Sequence, residues 1–301
     1  MKSKIASKKK HERREQIIKT VFMGIMSALV LVPFILLVSI SFSKEEDILF
    51  NGYKLIPQHF SLDGYKYVFS NPGKIFQAYK VTILYSLISM VLSTLLMSMI
   101  AYPLTRKKLK GRRVLSFYLY FTMLFSGGLV PSYILITQYL KLVNSFWVYI
   151  IPSLINPWNI FMLRSFFSDL PESMIESTKI DGASEYRIFW SFVLPLSKPV
   201  IATVALTTFL VKWNEWFTCM LYISDTDLYS LQFLLQSIMD NIKLLQELDS
   251  AGGGRLIDVS QIPSETTRMV MAVVVAGPAV LVFPFFQKYF VKGLTVGSVK
   301  G

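Results

Sequence analysis

The chain has 301 residues, 53% of them hydrophobic, and its mean hydropathy is +0.48. Soluble domains need more polar residues to cover their surface, so this composition argues against an ordinary soluble protein. The net charge of +12 comes from basic segments that flank apolar runs. Contact with anionic membrane lipid explains such a distribution better than nucleic-acid binding does.

Six apolar runs are long enough to cross a hydrocarbon core about 30 Å thick. We predict membrane helices at Val21–Phe42, Val81–Leu104, Val114–Leu140, Leu142–Leu163, Val200–Ile223 and Met269–Phe286. The first run has 22 residues, which is too long for the core of a signal peptide, so we expect it to stay uncleaved. The sequence therefore predicts an all-α polytopic membrane protein with six transmembrane helices.

Two basic segments predict the orientation of these helices. Residues 1–19 carry eight Lys or Arg and two acids, and residues 105–113 carry six and no acid. The positive-inside rule places both segments in the cytosol. The loops 43–78 and 223–266 have net charges of zero and −5, so we expect them outside. Six spans then leave both termini cytosolic.

This orientation divides the chain into a basic cytosolic tail, 1–19, and a membrane domain, 20–301. The loop 168–197 must then also be cytosolic, although its five acids outnumber its two bases. The positive-inside rule does not support that placement, because it counts basic residues and this loop has few. The placement follows only from the order of the spans along the chain.

The sequence lacks the common motifs of covalent chemistry. It has no G-x-x-x-x-G-K-[ST] phosphate loop, no G-x-S-x-G turn and no H-E-x-x-H pair. Its two histidines lie far apart, and Cys219 is the single cysteine, so neither a metal site nor an internal disulfide is expected. We therefore predict that the chain is not an enzyme and needs an ion gradient or a partner to move cargo uphill.

The loop 168–197 has the pattern of a helix, a tight turn and a second helix. Pro171 and Glu172 suit the start of a helix. Asp181–Gly182 is a turn signal, since glycine tolerates the positive φ that ends a helix. Ser184 can cap a second helix that continues to Pro195. Without further information, the loop could be an amphipathic segment on the bilayer surface.

The same loop resembles the EAA motif of permease subunits in binding-protein-dependent ABC importers. The residues that match it are Glu176, Asp181, Gly182, Ala183, Leu194 and Pro195. Ser177 and Thr178 stand where the family has two alanines, and Phe192 replaces its usual isoleucine. The C-terminal run QKYFVKGLTVGSVKG, the pair Trp213–Asn214 and the run NPWNIFMLRSFF resemble the MalG-like sugar permeases of that family.

This resemblance implies a type I ABC importer permease fold and a multi-pass location in the bacterial plasma (inner) membrane. It implies that the loop 168–197 is a coupling helix, with Glu176 as the ion-pairing group. It also implies a C-terminal tail that contacts the ATPase through Gly297, Ser298 and Lys300. The expected partners are a homologous second permease, two ATPase subunits, an extracytoplasmic solute-binding protein, membrane lipid and an oligosaccharide. ATP and Mg²⁺ would bind the ATPase subunits, so no cofactor is expected in this chain.

Polar and aromatic residues at membrane depth are candidates for the translocation path. They are Asn156, Trp158, Asn159, Lys212, Trp213, Asn214, Glu215 and Trp216. Lys212 would suit an acidic, uronate-containing sugar if it faced the path, but Glu215 could pair with it three residues away. The tryptophans could stack on sugar rings or could belong to an interfacial belt. The alternative to an importer subunit is an autonomous secondary transporter or channel, which would often show inverted repeats.

Overall fold

The computed structural model describes residues 2–180, 182–250 and 263–297. Within them the chain forms fourteen α-helices, with short π- and 3₁₀-helical turns between some of them. The helices are α1 Lys2–Ser41, α2 Glu45–Asn51, α3 Asp63–Val68, α4 Pro72–Thr105, α5 Arg112–Leu124, α6 Leu129–Ile134, α7 Pro157–Ser168, α8 Glu172–Ile180, α9 Glu185–Ile188, α10 Leu194–Leu196, α11 Lys198–Trp213, α12 Phe217–Tyr222, α13 Leu231–Ser250 and α14 Ser264–Gly297. The prediction of an all-α membrane protein is confirmed.

Three continuous helices are long and apolar enough to span a membrane. They are Arg13–Ser41 in α1, all of α4, and Ser264–Gln287 in α14. They correspond to the first, second and sixth predicted spans. Helix α1 begins well before its apolar part, so the basic segment 2–19 is helical and continuous with the first span.

The third and fourth predicted spans are bent rather than straight. The fifth, predicted at Val200–Ile223, differs in its bounds: α11 ends at Trp213, and its partner in a bent pair is Glu185–Leu196 of the loop 168–197. Arg112–Leu124 and Leu129–Tyr139 meet at 112°, Phe146–Ser153 and Pro157–Ser168 at 51°, and Glu185–Leu196 and Lys198–Trp213 at 81°. Six spans result if each bent pair counts as one. The first bend coincides with Gly127 and with Gly128, whose φ is +86°. A residue with a side chain would be strained at that φ, so glycine permits the change of direction.

By its contacts the chain divides into two units, and the first comprises Met1–Ser70 and Met239–Ala276. In this unit the Glu45 carboxylate caps the start of α14. It accepts hydrogen bonds from the backbone nitrogens of Glu265 and Thr266, at 2.8 and 2.9 Å, and from the Thr266 hydroxyl at 2.8 Å. A carboxylate at a helix N-terminus satisfies free amides and interacts favourably with the helix dipole.

The second unit comprises Asn71–Ile238 and Gly277–Gly301, and α4 is its central helix. Helix α4 begins at Pro72 with Asn71 as its cap, whose side chain accepts a hydrogen bond from the Lys74 amide. It packs against α7 and α11. Its buried face is rich in small hydroxyl residues, namely Thr82, Ser86, Ser89, Ser93, Thr94 and Ser98. Small side chains let helix backbones approach closely, which is how helices in membranes pack.

One buried apolar cluster of the second unit lies where α4, α7, α9 and α11 meet. Its fully buried members include Ala101 of α4, Leu163 of α7, Ile188 of α9 and Val204 of α11. The loop 168–197 is therefore attached directly to the packed interior of this unit.

Candidate functional site

The bend in the loop 168–197 has the local structure that its sequence indicates. Gly182 lies at φ +78°, in the left-handed region that favours glycine. Its amide donates to the Lys179 carbonyl at 3.0 Å, and the Ala183 amide donates to the Thr178 carbonyl at 3.1 Å. These bonds close the end of α8. The Ser184 hydroxyl then accepts from the Arg187 amide and caps α9.

The side chains that match the EAA motif face in different directions. Ala183 and Leu194 pack against the buried cluster around Ile188, whereas Glu176 and Pro195 are exposed. Exposed apolar side chains flank the bend as well, with Ile180 85% and Tyr186 74% accessible. Ser177 and Thr178 lie on α8, and Asp181 lies outside the described residues. The bend is thus held by packing against the buried cluster, and its exposed surface is acidic and apolar.

Glu185 fastens the bend to α4. Its carboxylate pairs with Lys179 Nζ at 2.5 Å and accepts a hydrogen bond from Tyr102 Oη at 2.6 Å. The guanidinium of Arg106 lies over the Tyr102 ring, 4.4 Å from its centroid. These residues were not among the sequence candidates, because Tyr102 and Glu185 are 83 positions apart and only the fold brings them together. A charge-assisted hydrogen bond therefore joins the bend to the end of α4.

The tail residues can be placed only in part. Gly297 is the last residue of α14, and Ser298 and Lys300 lie outside the described residues. Their contact with an ATPase subunit stays a prediction.

In the fourth predicted span, the polar candidates lie at the start of α7. The Asn156 side chain accepts from the Asn159 amide at 3.3 Å and caps the helix, with Pro157 in its first turn. Trp158 is 67% accessible and lines an open, mainly apolar cavity together with Phe161. Asn156 thus has a structural role, while the Trp158 ring is open to a ligand or to a neighbouring subunit.

The candidates in the fifth span surround the end of α11. Lys212 is 5% accessible, and its Nζ donates to the Tyr149 carbonyl at 2.8 Å. Glu215 instead accepts from the Thr218 amide at 2.9 Å, at the start of α12. Within the described residues no carboxylate lies within 4.0 Å of Lys212 Nζ, so Lys212 and Glu215 form no direct ion pair in this conformation, although the charge of Glu215 still acts on Lys212 at longer range. The helix breaks at Asn214, and the three-residue spacing no longer places the two side chains on one helix face.

The neighbours of Lys212 divide into buried and accessible groups. Trp213 is 2% accessible and stacks on Phe209, with ring centroids 5.7 Å apart. Trp216 is 42% accessible. Asn214 donates to the Leu210 carbonyl and accepts from the Gln232 amide group. In this conformation Trp213 is a packing residue. Of the two tryptophans, Trp213 and Trp216, only Trp216 is open to a cargo.

The described residues contain no group of three or more His, Cys, Asp or Glu side chains that could hold a metal ion. In the described part of the chain, the arrangement suits docking and helix movement. It combines the exposed bend at Gly182 with the helix break at Asn214, which has aromatic residues beside it.

Comparison with known proteins identifies the family. The family described as binding-protein-dependent transport system inner membrane component matches residues 11–296. The chain is 39% identical over 281 residues to the Bacillus subtilis polygalacturonan/rhamnogalacturonan transport system permease protein YtcP, covering 93% of this chain and 96% of that protein. It is 37% identical over 280 residues to Protein LplC of the same organism, covering 93% and 92%.

Solved structures agree with this result. A crystal structure of a bacterial ABC transporter involved in the import of the acidic polysaccharide alginate contains a chain that matches with a TM-score of 0.75 at 27% identity. The match covers 92% of this chain and 97% of that one. It confirms the predicted ABC importer permease fold. The chain therefore belongs to the binding-protein-dependent transport system inner membrane components, among the MalG-like permeases of carbohydrate ABC importers.

Proposed function

We propose that this chain is one of two homologous permease subunits that together form the translocation path for an oligosaccharide. Two ATPase subunits would bind ATP and Mg²⁺ and supply the energy, and an extracytoplasmic solute-binding protein would deliver the cargo. The observation that carries the proposal is the match to YtcP over 93% of the chain. Membership of the importer family favours this function over an autonomous transporter or channel.

The loop 168–197 would receive the movement of an ATPase subunit. Helix α8 and the bend at Gly182 present Glu176, Ile180 and Tyr186 outward, which suits insertion into a cleft with a basic residue and an apolar wall. Glu185 and the buried cluster would transmit the displacement to α4 and α11. Such coupling requires two packings of the helices with different affinity for the ATPase in its closed state. Gly297, Ser298 and Lys300 would add a second contact with the ATPase.

We further propose that the cargo includes uronate-containing oligosaccharides. YtcP is named for polygalacturonan and rhamnogalacturonan, and the structural match is named for alginate. Both names concern polysaccharides with acidic sugars. The accessible rings of Trp158 and Trp216 could stack on sugar rings, and Asn159 and Asn214 could hydrogen-bond to hydroxyl groups. Lys212 is buried in this conformation and would meet a carboxylate only after the helices rearrange.

The proposed topology keeps both termini and the segments 1–19, 105–113 and 168–197 in the cytosol of a bacterium, with 43–78 and 223–266 outside. The positive-inside rule supports this orientation, because the two most basic segments fall on one side.

Uptake by the reconstituted transporter tests this function. The chain is co-purified with its second permease and ATPase subunits, placed in vesicles, and assayed for ATP hydrolysis with the solute-binding protein and a panel of saccharides. We expect oligogalacturonates to stimulate hydrolysis and uptake more than neutral oligosaccharides of equal length do. The chain alone, as the control, should show neither activity.

Two results would contradict the proposal. Substrate movement by the chain alone would favour an autonomous transporter. Stimulation by amino acids, peptides or metal ions, but by no saccharide, would show that the cargo class is wrong.

A further inference from the structure

The basic segment 105–113 lines part of a pocket in the second unit to which the proposed function assigns no role. The chain turns at Gly111, where φ is +80°, and α5 begins at Arg112. An open cavity of about 610 Å³ lies between this turn and α7. The residues that line it and matter here are Lys107, Gly111, Arg112, Arg113, Ser116 and Arg164.

Four of these side chains are cations, and they come from different elements. Lys107 precedes the turn, Arg112 and Arg113 begin α5, and Arg164 projects from the otherwise uncharged helix α7. Arg164 Nη1 donates to the Ser116 hydroxyl at 3.0 Å, which holds the guanidinium at the cavity. Charged residues on membrane helices are costly and usually have a defined partner.

Negative charge at the pocket is scarce. Lys107 is 3.7 Å from the Glu172 carboxylate, and both side chains are largely exposed to solvent. Among the described residues, no carboxylate lies within 4.0 Å of Arg112, Arg113 or Arg164. Several like charges around one cavity repel each other, and a bound anion would relieve that repulsion. Arginine is well suited to this role because its planar donors match phosphate oxygens.

The start of α5 adds a second attraction for an anion. Its N-cap, Gly111, has no side chain to cap the helix, and the first turn contains no acidic residue. The Arg112 amide donates to the Leu109 carbonyl at 3.4 Å. The attraction from this end of α5 therefore comes mainly from the positive end of the helix dipole, which lies at the cavity.

The surface beyond the pocket is apolar. Val114, Phe117 and Tyr118, within two turns of Arg112, are all more than 60% accessible. A ligand with a phosphate group and hydrocarbon chains would place the phosphate at the arginines and its chains along this face of α5. Basic pockets between membrane helices on the cytosolic side have this relation to anionic lipid head groups.

We propose that this pocket binds the phosphate group of an anionic phospholipid from the cytosolic leaflet, with Arg112, Arg113 and Arg164 as its ligands. The pocket adjoins the proposed coupling helix, because Lys107 at its edge contacts Glu172 of α8. Its three arginines are not among the residues proposed for coupling or for the translocation path. It would fix the position of α5 and the 105–113 turn relative to the membrane surface.

Lipid retained by the full-length chain tests this site. The chain is purified from membranes that contain phosphatidylglycerol, washed with detergent, and analysed by native mass spectrometry for bound phosphatidylglycerol. The test variant is Arg112→Gln with Arg113→Gln. Its matched control is Lys108→Gln with Lys110→Gln, which removes the same charge from exposed positions of the same segment that do not line the cavity.

We expect the arginine variant to bind phosphatidylglycerol about 25-fold more weakly, the equivalent of ~2 kcal/mol for two cations. The lysine control should bind as the natural chain does. Arg164→Lys keeps the positive charge but loses the paired donors of the guanidinium. It should weaken phosphatidylglycerol binding without changing the net charge of the pocket.

Four results would overturn the proposal. An equal loss in the arginine variant and the lysine control would indicate diffuse surface attraction. Unchanged lipid in the arginine variant and in Arg164→Lys would show that the pocket holds no lipid. Displacement of the lipid by inorganic phosphate at millimolar concentration would identify a free-phosphate site. If the arginine variant keeps its lipid but no longer co-purifies with an ATPase subunit, the pocket receives an acidic protein surface instead.

Discussion

Two of the interruptions in the helices of the second unit differ in their exposure. At the break between α11 and α12, Lys212 and Trp213 are 5% and 2% accessible. At the bend between α8 and α9, Ile180 and Tyr186 are 85% and 74% accessible. Both interruptions contain backbone amides that donate within the chain, Gly182 to the Lys179 carbonyl and Asn214 to the Leu210 carbonyl. They differ in whether the rest of the chain covers their side chains, which it does at the break but not at the bend.

Because of this difference, we expect substitutions at the break to affect stability and substitutions at the bend to affect coupling to a partner. At the break, the protein supplies the partners itself: Lys212 donates to the Tyr149 carbonyl, and the Thr218 amide donates to the Glu215 carboxylate. Substitutions there should change the folded state. At the bend, apolar and acidic side chains remain uncovered in the single chain, so substitutions should change its response to a partner more than its own stability.

Trp213→Ala should give the largest effect, at the break. Removing a buried tryptophan leaves a cavity beside Phe209 and should destabilise the chain by about 3–5 kcal/mol. The measurement is the unfolding midpoint of the purified chain in detergent. Trp216→Ala is the matched control, since Trp216 is 42% accessible and should lose far less. Equal losses in both variants would show that the break is not packed as described.

Gly182→Val should give the next effect, at the bend. A β-branched residue resists a φ of +78°, and the strain of about 1–2 kcal/mol would distort the end of α8. Substrate-stimulated ATP hydrolysis and uptake should fall severalfold while the solute-binding protein keeps its affinity for sugar. Gly182→Asn is the control, because asparagine tolerates this backbone region and should retain more transport. Normal uptake by the valine variant would mean that the bend takes no part in coupling.

Glu176→Lys should give the smallest change in the chain itself. Glu176 is exposed, so the free energy of unfolding should change by no more than about 0.5 kcal/mol. Uptake should fall, because like charges would meet at the docking surface. Glu172→Lys makes the same charge change one turn earlier on α8; it also removes the exposed contact with Lys107, and it should affect uptake less. If both variants lower uptake equally, the net charge of α8 matters rather than an ion pair of Glu176.

The sequence predicts the features that depend on local chemistry. Apolar length is sufficient to locate the three continuous spans, and Gly182 with Ser184 is sufficient to predict the bend. The predicted fifth span, Val200–Ile223, is shifted relative to the bent pair Glu185–Leu196 and Lys198–Trp213. The 112° bend after α5 was missed, although Gly127 and Gly128 were a visible signal inside the predicted Val114–Leu140 span. Two adjacent glycines weaken a helix, and hydropathy alone does not register that weakness.

Other features depend on contacts between distant residues and have no sequence signal. The partner of Lys212 is a backbone carbonyl 63 positions away, so no side-chain pattern could indicate it. The nearby Glu215 gave a misleading alternative, because the i, i+3 rule holds only while the helix continues. The link from Glu185 to Tyr102 has the same origin, since α4 and α9 meet only through the buried cluster.

The cap that Glu45 places on α14 has a consequence for the biosynthesis of the chain. Glu45 is translated early, but the amide that it caps at Glu265 is made 220 residues later. During almost all of membrane insertion, the loop after α1 must therefore wait in a provisional state. A chain that stops before α14 would have water at the Glu45 carboxylate where the finished protein has the amides of Glu265 and Thr266. Completion of the last span thus also completes the hydrogen bonding of the first loop.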